Sequence, residues 1–247
     1  MTSRGAPGPG SPRTGLGSRG GGLDSETWES GNDAAGFVLA GGQTARMGAD
    51  KALVEFRGRP LIAHALDILA AAGVPAFIAG ARTESAARLN AYASVIPDIE
   101  PGRGPLTGVC SALTSTVAEW AVFLPVDVPL LPASLVACLL RHARITHAPV
   151  TLVAVNGFPQ TFPAVVPRRA LPVLQRELRD GRLGCFAAFQ AAARELDKPA
   201  SILPAEILAQ CGQVLHPGAL PVAQWFFNLN TQRDLAAAAS RPISRVS

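Results

Sequence analysis

Short apolar runs alternate with longer amphipathic segments along most of the chain. Each short run is bounded by turn-forming residues, which is typical of strands that are buried on both faces of a sheet. The predicted strands are GFVLA (36–40), PAFIAG (75–80), SVIPD (94–98), WAVFLPVD (120–127) and VTLVAV (150–155). Segments with helical periodicity lie between them, at 59–73, 83–93, 105–120 and 131–144. The alternation predicts an α/β fold in which a mostly parallel sheet carries helices on both faces.

The pattern is less regular after residue 155. It predicts a strand at 161–167, helices at 170–180 and 184–195, an apolar segment WFFNLNT (225–231) and a last helix at 231–240. We expect these elements to extend the same sheet, so that residues 36–240 form a single domain. Residues 1–35 are rich in Gly, Pro, Ser and Arg and lack the apolar region of a signal peptide, which predicts a disordered tail. Residues 241–247 form a second, short tail.

Composition and charge narrow the classes of function. Hydrophobic residues make up 48% of the chain and charged residues 16%, so a sizeable core is expected. The net charge of +4 is small and no basic run exceeds two residues, which argues against binding of nucleic acid. No window approaches the ~20 apolar residues of a membrane helix. The four cysteines and four histidines show no metal-ligand spacing, and the thiols are typical of a reduced, cytoplasmic protein.

The first polar cluster, LAGGQTARMGADKAL (39–53), directly follows the first predicted strand. Its glycines allow backbone N–H groups to approach a phosphate closely. Lys51 is one of two lysines in a chain with twenty arginines, which suggests a need for the compact ammonium group at this position. Together with Arg46, it favours a cradle for a phosphate chain. An ordinary turn between a strand and a helix remains the alternative.

A second cluster places Asp127 at the end of the strand 120–127. Mg²⁺ prefers one or two carboxylates together with substrate phosphates, so a carboxylate beside a nucleotide cradle suits that ion. The alternative is that Asp127 caps the helix that starts near Leu131. Asp98 likewise ends a predicted strand and precedes a Gly/Pro loop containing Arg103, which could wrap a base or ribose or be a plain surface loop.

Two of the five asparagines lie close together in FNLNT (227–231). Asn228 and Asn230 would face the same side if this segment is a strand. The alternative is that the segment serves as turn and cap for the last helix, with Thr231 as the capping residue.

Four motifs in this order, LAGGxSxRMGxDKAL, PGxGPLxG, PxDxP and NxNT…DL, closely resemble those of the molybdenum cofactor guanylyltransferases. The resemblance covers residues 36 to about 237. It implies a Rossmann-like sheet of the GT-A nucleotidyltransferase type and a Mg²⁺-dependent transfer of GMP from GTP to molybdenum-bound molybdopterin, with release of pyrophosphate. LAGG, as opposed to the LAAG of related cytidylyltransferases, favours GTP over CTP. The chain departs from the pattern at Thr44, at Gln232 and in IAGAR (78–82), which lacks an asparagine that some members use for the nucleotide.

The resemblance also implies which residues bind the nucleotide. Leu39, Ala40 and Gly41 would line the guanine and ribose site, and backbone amides near Gly41 and Gly42 would face the α-phosphate and the leaving pyrophosphate. Asp98 would bind the nucleotide from the end of another strand.

The same resemblance assigns the charged residues. Arg46 and Lys51 would neutralise the phosphates, and Asp127 would hold Mg²⁺ as well as contact the nucleotide. Asn228 and Asn230 would lie on the molybdopterin side, with Asn230 as an alternative ligand on the metal side.

Three rival interpretations are left open by the sequence. The chain could use CTP, it could use a sugar-phosphate acceptor, or it could be a binding module that holds nucleotide or cofactor without turnover. A monomer is expected because no apolar stripe is evident. Transient contact with molybdoenzymes or with proteins of cofactor synthesis is compatible with the resemblance.

Overall fold

Seven strands join in one mixed sheet, and two more form a small hairpin. The computed structural model describes residues 33–41 and 50–239. The strands are β1 (Ala34–Leu39), β2 (Glu55–Phe56), β3 (Arg59–Pro60), β4 (Ala76–Ala79), β5 (Val95–Ile96), β6 (Trp120–Pro125), β7 (Thr151–Val155), β8 (Phe158–Pro167) and β9 (Ser201–Pro204). The helices are α1 (Leu61–Ala71), α2 (Thr83–Leu89), α3 (Pro105–Ser115), α4 (Ala133–Thr146), α5 (Leu171–Arg179), α6 (Cys185–Glu195), α7 (Ala205–Gln210), α8 (Val222–Trp225) and α9 (Gln232–Ala239). Short 3-10 helices cover Lys51–Leu53 and Arg168–Ala170.

The sheet has the strand order β5-β4-β1-β6-β8-β7-β9. Strands β5, β4, β1 and β6 are parallel to one another, and β7 is parallel to β9, whereas β8 runs antiparallel to both β6 and β7. The predicted mostly parallel sheet is therefore confirmed. Because β1, β4, β5 and β6 point the same way, the loops after them meet at one edge, where ligands of α/β sheets bind.

Helices cover both faces of the sheet, as predicted. Val38 of β1 belongs to a buried cluster that includes residues of α1 and α4. Its neighbour Phe37 faces the other way and stacks on Phe77 and Phe123, with ring centroids 5.7 and 5.6 Å apart. Helix α3 packs on β1, β4 and β5 and also on α5, which packs on α6. The alternation of side chains along β1 thus serves two separate helix layers.

The β7–β8 hairpin reverses the chain and was not anticipated from the sequence. Its turn is Asn156–Gly157, and both residues have positive φ, 51° and 79°. Asn-Gly between two apolar runs is the strongest short-range signal for such a turn, so this hairpin could have been predicted. Strand β8 begins at Phe158, three residues before the predicted start at 161.

The first strand begins at Ala34, inside the segment that was predicted as tail. Ala34 pairs with Trp120 and is buried, and the Trp120 amide donates to the carbonyl oxygen of Asp33 at 3.0 Å. The Asp33 side chain accepts from Arg144 Nε at 3.0 Å. Ala34 and Ala35 therefore belong to the folded domain through their pairing with β6, and the predicted boundary at residue 35 is too late. Residues 1–32 and 240–247 lie outside the described residues.

Residues 225–231 do not form a strand, which was one of the two alternatives left open for this segment. Trp225 ends the short helix α8, and residues 227–231 are irregular. Both hydrogen-bonding edges of β6 are already taken by β1 and β8, so this segment contacts the loop beyond β6 instead. Leu229 is fully buried, whereas Asn228 and Asn230 are exposed. Buried and exposed residues therefore alternate here although the segment is not a strand.

Thr231 caps the last helix, as the alternative interpretation held. The Asp234 amide donates to Thr231 Oγ1 at 3.1 Å, and Asp234 Oδ2 accepts from the amides of Asn230 and Thr231 at 3.0 and 2.8 Å. This reciprocal capping box fixes the start of α9. Among the described helices, none has the length and apolar character needed to cross a lipid bilayer.

Candidate active site

Lys51, Asp127 and Asn230 meet at the carboxyl edge of the sheet. Lys51 Nζ lies 2.7 Å from Asp127 Oδ2 and also donates to Asn230 Oδ1. The exposed fractions of the Lys51 and Asp127 side chains are only 11% and 21%. Residues that are 76 and 179 positions apart from Lys51 in the sequence therefore form one partly buried polar cluster. Because the pair is shielded from water, its charges interact more strongly than those of a surface pair.

Local structure fixes the positions of these side chains. Lys51 opens a 3-10 helix whose N-cap is Asp50, and the Asp50 side chain accepts from the Ala52 amide at 3.0 Å. Asp127 follows β6, where the Val126 amide donates to the carbonyl oxygen of Leu39 at 3.3 Å. The carbonyl oxygen of Asp127 accepts from the Leu229 amide at 2.9 Å. The loop after β6 is thereby bonded both to β1 and to the segment that carries Asn230.

The alternative role for Asp127 is excluded. Helix α4 begins at Ala133, its N-cap is Pro132, and that cap makes no side-chain hydrogen bond. Asp127 instead pairs with the lysine that the sequence singled out.

Close backbone packing shapes the part of this edge at the end of β1. Leu39 and Ala40 are buried, and the Ala40 amide donates to the carbonyl oxygen of Ala79 at 2.9 Å. A Cβ on Gly41 would lie only 2.3 Å from the carbonyl oxygen of Gly80, and a Cβ on Gly108 would lie 3.2 Å from Gly80 Cα. Three glycines thus bring β1, β4 and α3 together. The sequence indicated Gly41 but not Gly80 or Gly108, because their partners are remote in the chain.

Gly41→Ala is expected to lower the free energy of unfolding by about 1–3 kcal/mol, since the added Cβ must push β1 and β4 apart. Thermal and urea unfolding measure the loss. Gly184→Ala is a matched control, because its Cβ would meet only the Ala187 Cβ at 4.0 Å and its φ is −75°. Equal stability of the two variants would contradict the packing argument.

Asp98 lies beyond β5. Its Oδ1 is buried and has no hydrogen-bond partner among the residues that the structure describes. Burial raises the pKa of Asp98, and a hydrogen bond with the Gly80 backbone partly opposes that rise. A buried acceptor without a partner is costly, so this oxygen is suited to accept from a ligand donor.

The loop after Asp98 is attached to α5. Arg103 pairs with Glu100, and its Nη2 donates to the carbonyl oxygen of Leu178 at 3.0 Å. Arg103 therefore fastens the loop to the protein. Gly42 and Arg46, the other candidates of the first motif, lie outside the described residues.

The cluster offers hard oxygen donors for a metal ion. Asp127 supplies a carboxylate and Asn230 an amide oxygen, which are ligand types that Mg²⁺ accepts. Within residues 33–41 and 50–239, no three His, Cys, Asp or Glu side chains converge as a metal site.

His216 links the loop that bears Asp127 to the C-terminal segment. Its Nε2 lies 3.0 Å from the carbonyl oxygen of Leu130, so Nε2 carries the proton, and Nδ1 accepts from the Gly218 amide at 2.9 Å. The ring stacks on Trp225. Burial lowers the pKa of His216; the hydrogen bond to Leu130 opposes this and the charge of Arg57 adds to it. The folded protein thus favours the neutral imidazole.

Acid is expected to weaken the fold through His216. Because the pKa is lower in the folded than in the unfolded state, stability is fully present above the unfolded value of about 6.5 and falls as the pH drops below it. Urea unfolding at about pH 7.5 and about pH 5.5 should show a larger loss for the unaltered protein than for His216→Gln. The same loss in both proteins would exclude His216 as the cause.

The strand order of the mixed sheet and the cluster of Lys51, Asp127 and Asn230 at its carboxyl edge are typical of a nucleotide-binding α/β protein. Residues 36–197 match the MobA-like NTP transferase domain, and the chain belongs to this family. The molybdenum cofactor guanylyltransferase of Pseudomonas entomophila is 37% identical over 142 residues, which cover 56% of this chain and 73% of that protein. A probable molybdenum cofactor guanylyltransferase of Haloferax mediterranei is 31% identical over 212 residues, 84% of this chain and 93% of its own.

A solved structure shares the fold. Molybdopterin-guanine dinucleotide biosynthesis protein A from Archaeoglobus fulgidus superposes with a TM-score of 0.67, covering 83% of this chain and 96% of its own, at 21% identity. The superposition confirms the predicted Rossmann-like sheet.

Proposed function

We propose that this protein transfers GMP from GTP to molybdenum-bound molybdopterin and releases pyrophosphate. The observation that carries the proposal is the cluster of Lys51, Asp127 and Asn230 at the carboxyl edge of the sheet, in a chain of the MobA-like NTP transferase family. Relatives that are named molybdenum cofactor guanylyltransferase support the choice of nucleotide and acceptor.

The reaction is an in-line displacement at the α-phosphorus of GTP. The nucleophile is a phosphate oxygen of the acceptor, which is already anionic near neutral pH, so no protein base is required. Catalysis then consists of positioning and charge neutralisation. Lys51 binds the phosphates of the nucleotide, and Arg46 adds a second positive charge.

In the protein without substrate, Lys51 and Asp127 neutralise each other and fix each other's positions. This pairing keeps the ammonium at the edge where the phosphates arrive. Asp127 would hold Mg²⁺, and Asn230 is a possible second ligand for the same ion. That ion, when bound, supplies additional positive charge to the nucleotide oxygens.

The nucleoside lies over the packed ends of β1 and β4. Leu39, Ala40 and Gly41 form the wall at the end of β1, and Asp98 offers its unpaired Oδ1 from the side of β5. Asn228 and Asn230, the exposed residues on either side of buried Leu229, are assigned to the acceptor. The molybdopterin therefore approaches from the C-terminal segment and the nucleotide from β1 and β5.

Release of pyrophosphate tests the proposal. The purified protein is given GTP or CTP, with and without molybdenum-loaded molybdopterin, and with Mg²⁺ present or chelated. Pyrophosphate release that requires GTP, the acceptor and Mg²⁺ is expected. Faster turnover with CTP would make the protein a cytidylyltransferase, release with a sugar phosphate would change the acceptor, and GTP binding without turnover would indicate a binding module.

A further inference from the structure

Residues 51–57, which run from the end of the first motif into the β2–β3 hairpin, contact both a residue just before α9 and the last turn of that helix. Lys51 donates to Asn230, just before α9, and Arg57 Nη2 donates to the carbonyl oxygen of Ala238, in its last turn, at 3.1 Å. These contacts join positions 179 and 181 residues apart. Helix α9 has eight residues and so spans about 12 Å. Residues 51–57 therefore lie alongside the whole helix.

The β2–β3 hairpin presents Arg57 in this position. Arg57 and Gly58 form its turn with positive φ, 52° and 74°, a conformation in which a residue other than glycine is uncommon. The guanidinium carbon lies 4.9 Å from the centre of the Phe56 ring, a cation–π contact that orients the side chain. The turn conformation and the contact with the Phe56 ring together orient the Arg57 side chain.

The acceptor for Arg57 is a carbonyl oxygen in the last turn of α9. The carbonyl groups in the last turn of a helix have no amide partner within the helix, and that end carries partial negative charge. A guanidinium group donates a hydrogen bond to such a carbonyl oxygen, and its positive charge interacts favourably with the partial negative charge of the helix end. Ala238 itself is fully buried, as is most of Leu235, so the inner face of α9 packs on the core while Arg57 binds its end.

The start of α9 is joined rigidly to the candidate active site. The Asn230 and Thr231 amides donate to Asp234 of the helix, and the Leu229 amide donates to the carbonyl oxygen of Asp127. A shift of α9 would therefore move the Asn230 side chain relative to Lys51.

We propose that Arg57 is a positioning residue for nucleotidyl transfer: by anchoring the end of α9, it keeps Asn230 in contact with Lys51. Arg57 contacts neither substrate nor metal in this role. The expected loss of kcat rests on the proposed function. The expected loosening of the segment that carries Asn230 can be measured without turnover.

Arg57→Ala is expected to lower kcat about 10-fold, because Lys51 and Asn230 lose their fixed geometry. The KM for GTP should change much less, since the residues proposed to bind the nucleoside belong to β1 and to the loop after β5 and not to α9 or the segment before it. Arg57→Lys, which keeps a charged donor, should restore part of the loss. Arg59→Ala is the matched control, because exposed Arg59 pairs only with Asp67 on α1 in the described contacts.

A double-mutant cycle separates positioning from general destabilisation. In an Asn230→Ala background, Arg57→Ala should cause almost no further loss of kcat, whereas independent effects would multiply. Amide hydrogen exchange gives the structural measurement on the protein without substrate. The Leu229, Asn230 and Thr231 amides should exchange about 10-fold faster in Arg57→Ala, while the Phe37 amide in β1 keeps its protection.

Unchanged exchange at 229–231, or multiplicative losses in the double mutant, would overturn the inference. Failure of the proposed function can be distinguished from failure of this inference. If the proposed function is wrong, the unaltered protein releases no pyrophosphate, but amide exchange in Arg57→Ala can still be measured.

Discussion

Asp127→Ala is expected to lower the kcat of GMP transfer by roughly 10²–10³-fold while the protein remains folded. Asp127 supplies the carboxylate of the cluster formed by Lys51, Asp127 and Asn230, and no group of three His, Cys, Asp or Glu side chains that could hold a metal ion is found among the described residues. In the proposed mechanism, loss of this group would remove the carboxylate that holds Mg²⁺. Activity should be measured as pyrophosphate release at saturating GTP and acceptor.

Two further variants sharpen the test of Asp127. Asp127→Asn keeps the shape of the side chain but removes its charge, so it should be almost as slow as the alanine variant if charge is what matters. Asp67→Ala removes an exposed carboxylate that pairs with Arg59 on the surface and should leave kcat unchanged. Near-normal turnover in Asp127→Ala, with a native unfolding transition, would show that Asp127 has no catalytic role.

Lys51→Ala is expected to cause a loss of similar size, roughly 10²–10³-fold in kcat/KM, because the phosphates lose a partly buried positive charge. It also leaves the Asp127 carboxylate without its cation, so the unfolding temperature should be recorded for each variant. Lys51 is only 11% exposed, and its ammonium reaches two partners at once.

The shape of the Lys51 side chain can be tested separately from its charge. The larger, planar guanidinium of Lys51→Arg should not restore activity, since the site holds a compact ammonium between Asp127 and Asn230. The second lysine of the chain, Lys198, provides the control: Lys198→Ala should retain full activity. Wild-type kcat/KM in Lys51→Ala would refute the phosphate-binding role.

The candidate site could be predicted because its residues stand where strands end. Asp127 follows the apolar run at 120–127 and Lys51 is rare in this chain, so both were identifiable without coordinates. Their hydrogen bond at 2.7 Å was not, since it depends on how β1 and β6 pair.

The errors have equally specific causes. Residues 227–231 alternate apolar and polar residues like a strand, but both positions beside β6, whose loop this segment contacts, are filled by β1 and β8. The β7–β8 hairpin was missed although its Asn-Gly turn stands in the sequence. Arg57 was not identified as a functional candidate, because its partner, the carbonyl oxygen of Ala238, has no signature in sequence.

By itself, the sequence determined the parallel α/β arrangement and the family, because hydrophobic periodicity and local motifs depend on neighbours a few residues apart. The tertiary structure decided which groups meet: Lys51 with Asp127 and Asn230, Gly41 against Gly80, and Arg57 at the end of α9. These contacts span large sequence separations, and their geometry follows from strand order and helix packing. No pattern along the chain encodes that geometry directly.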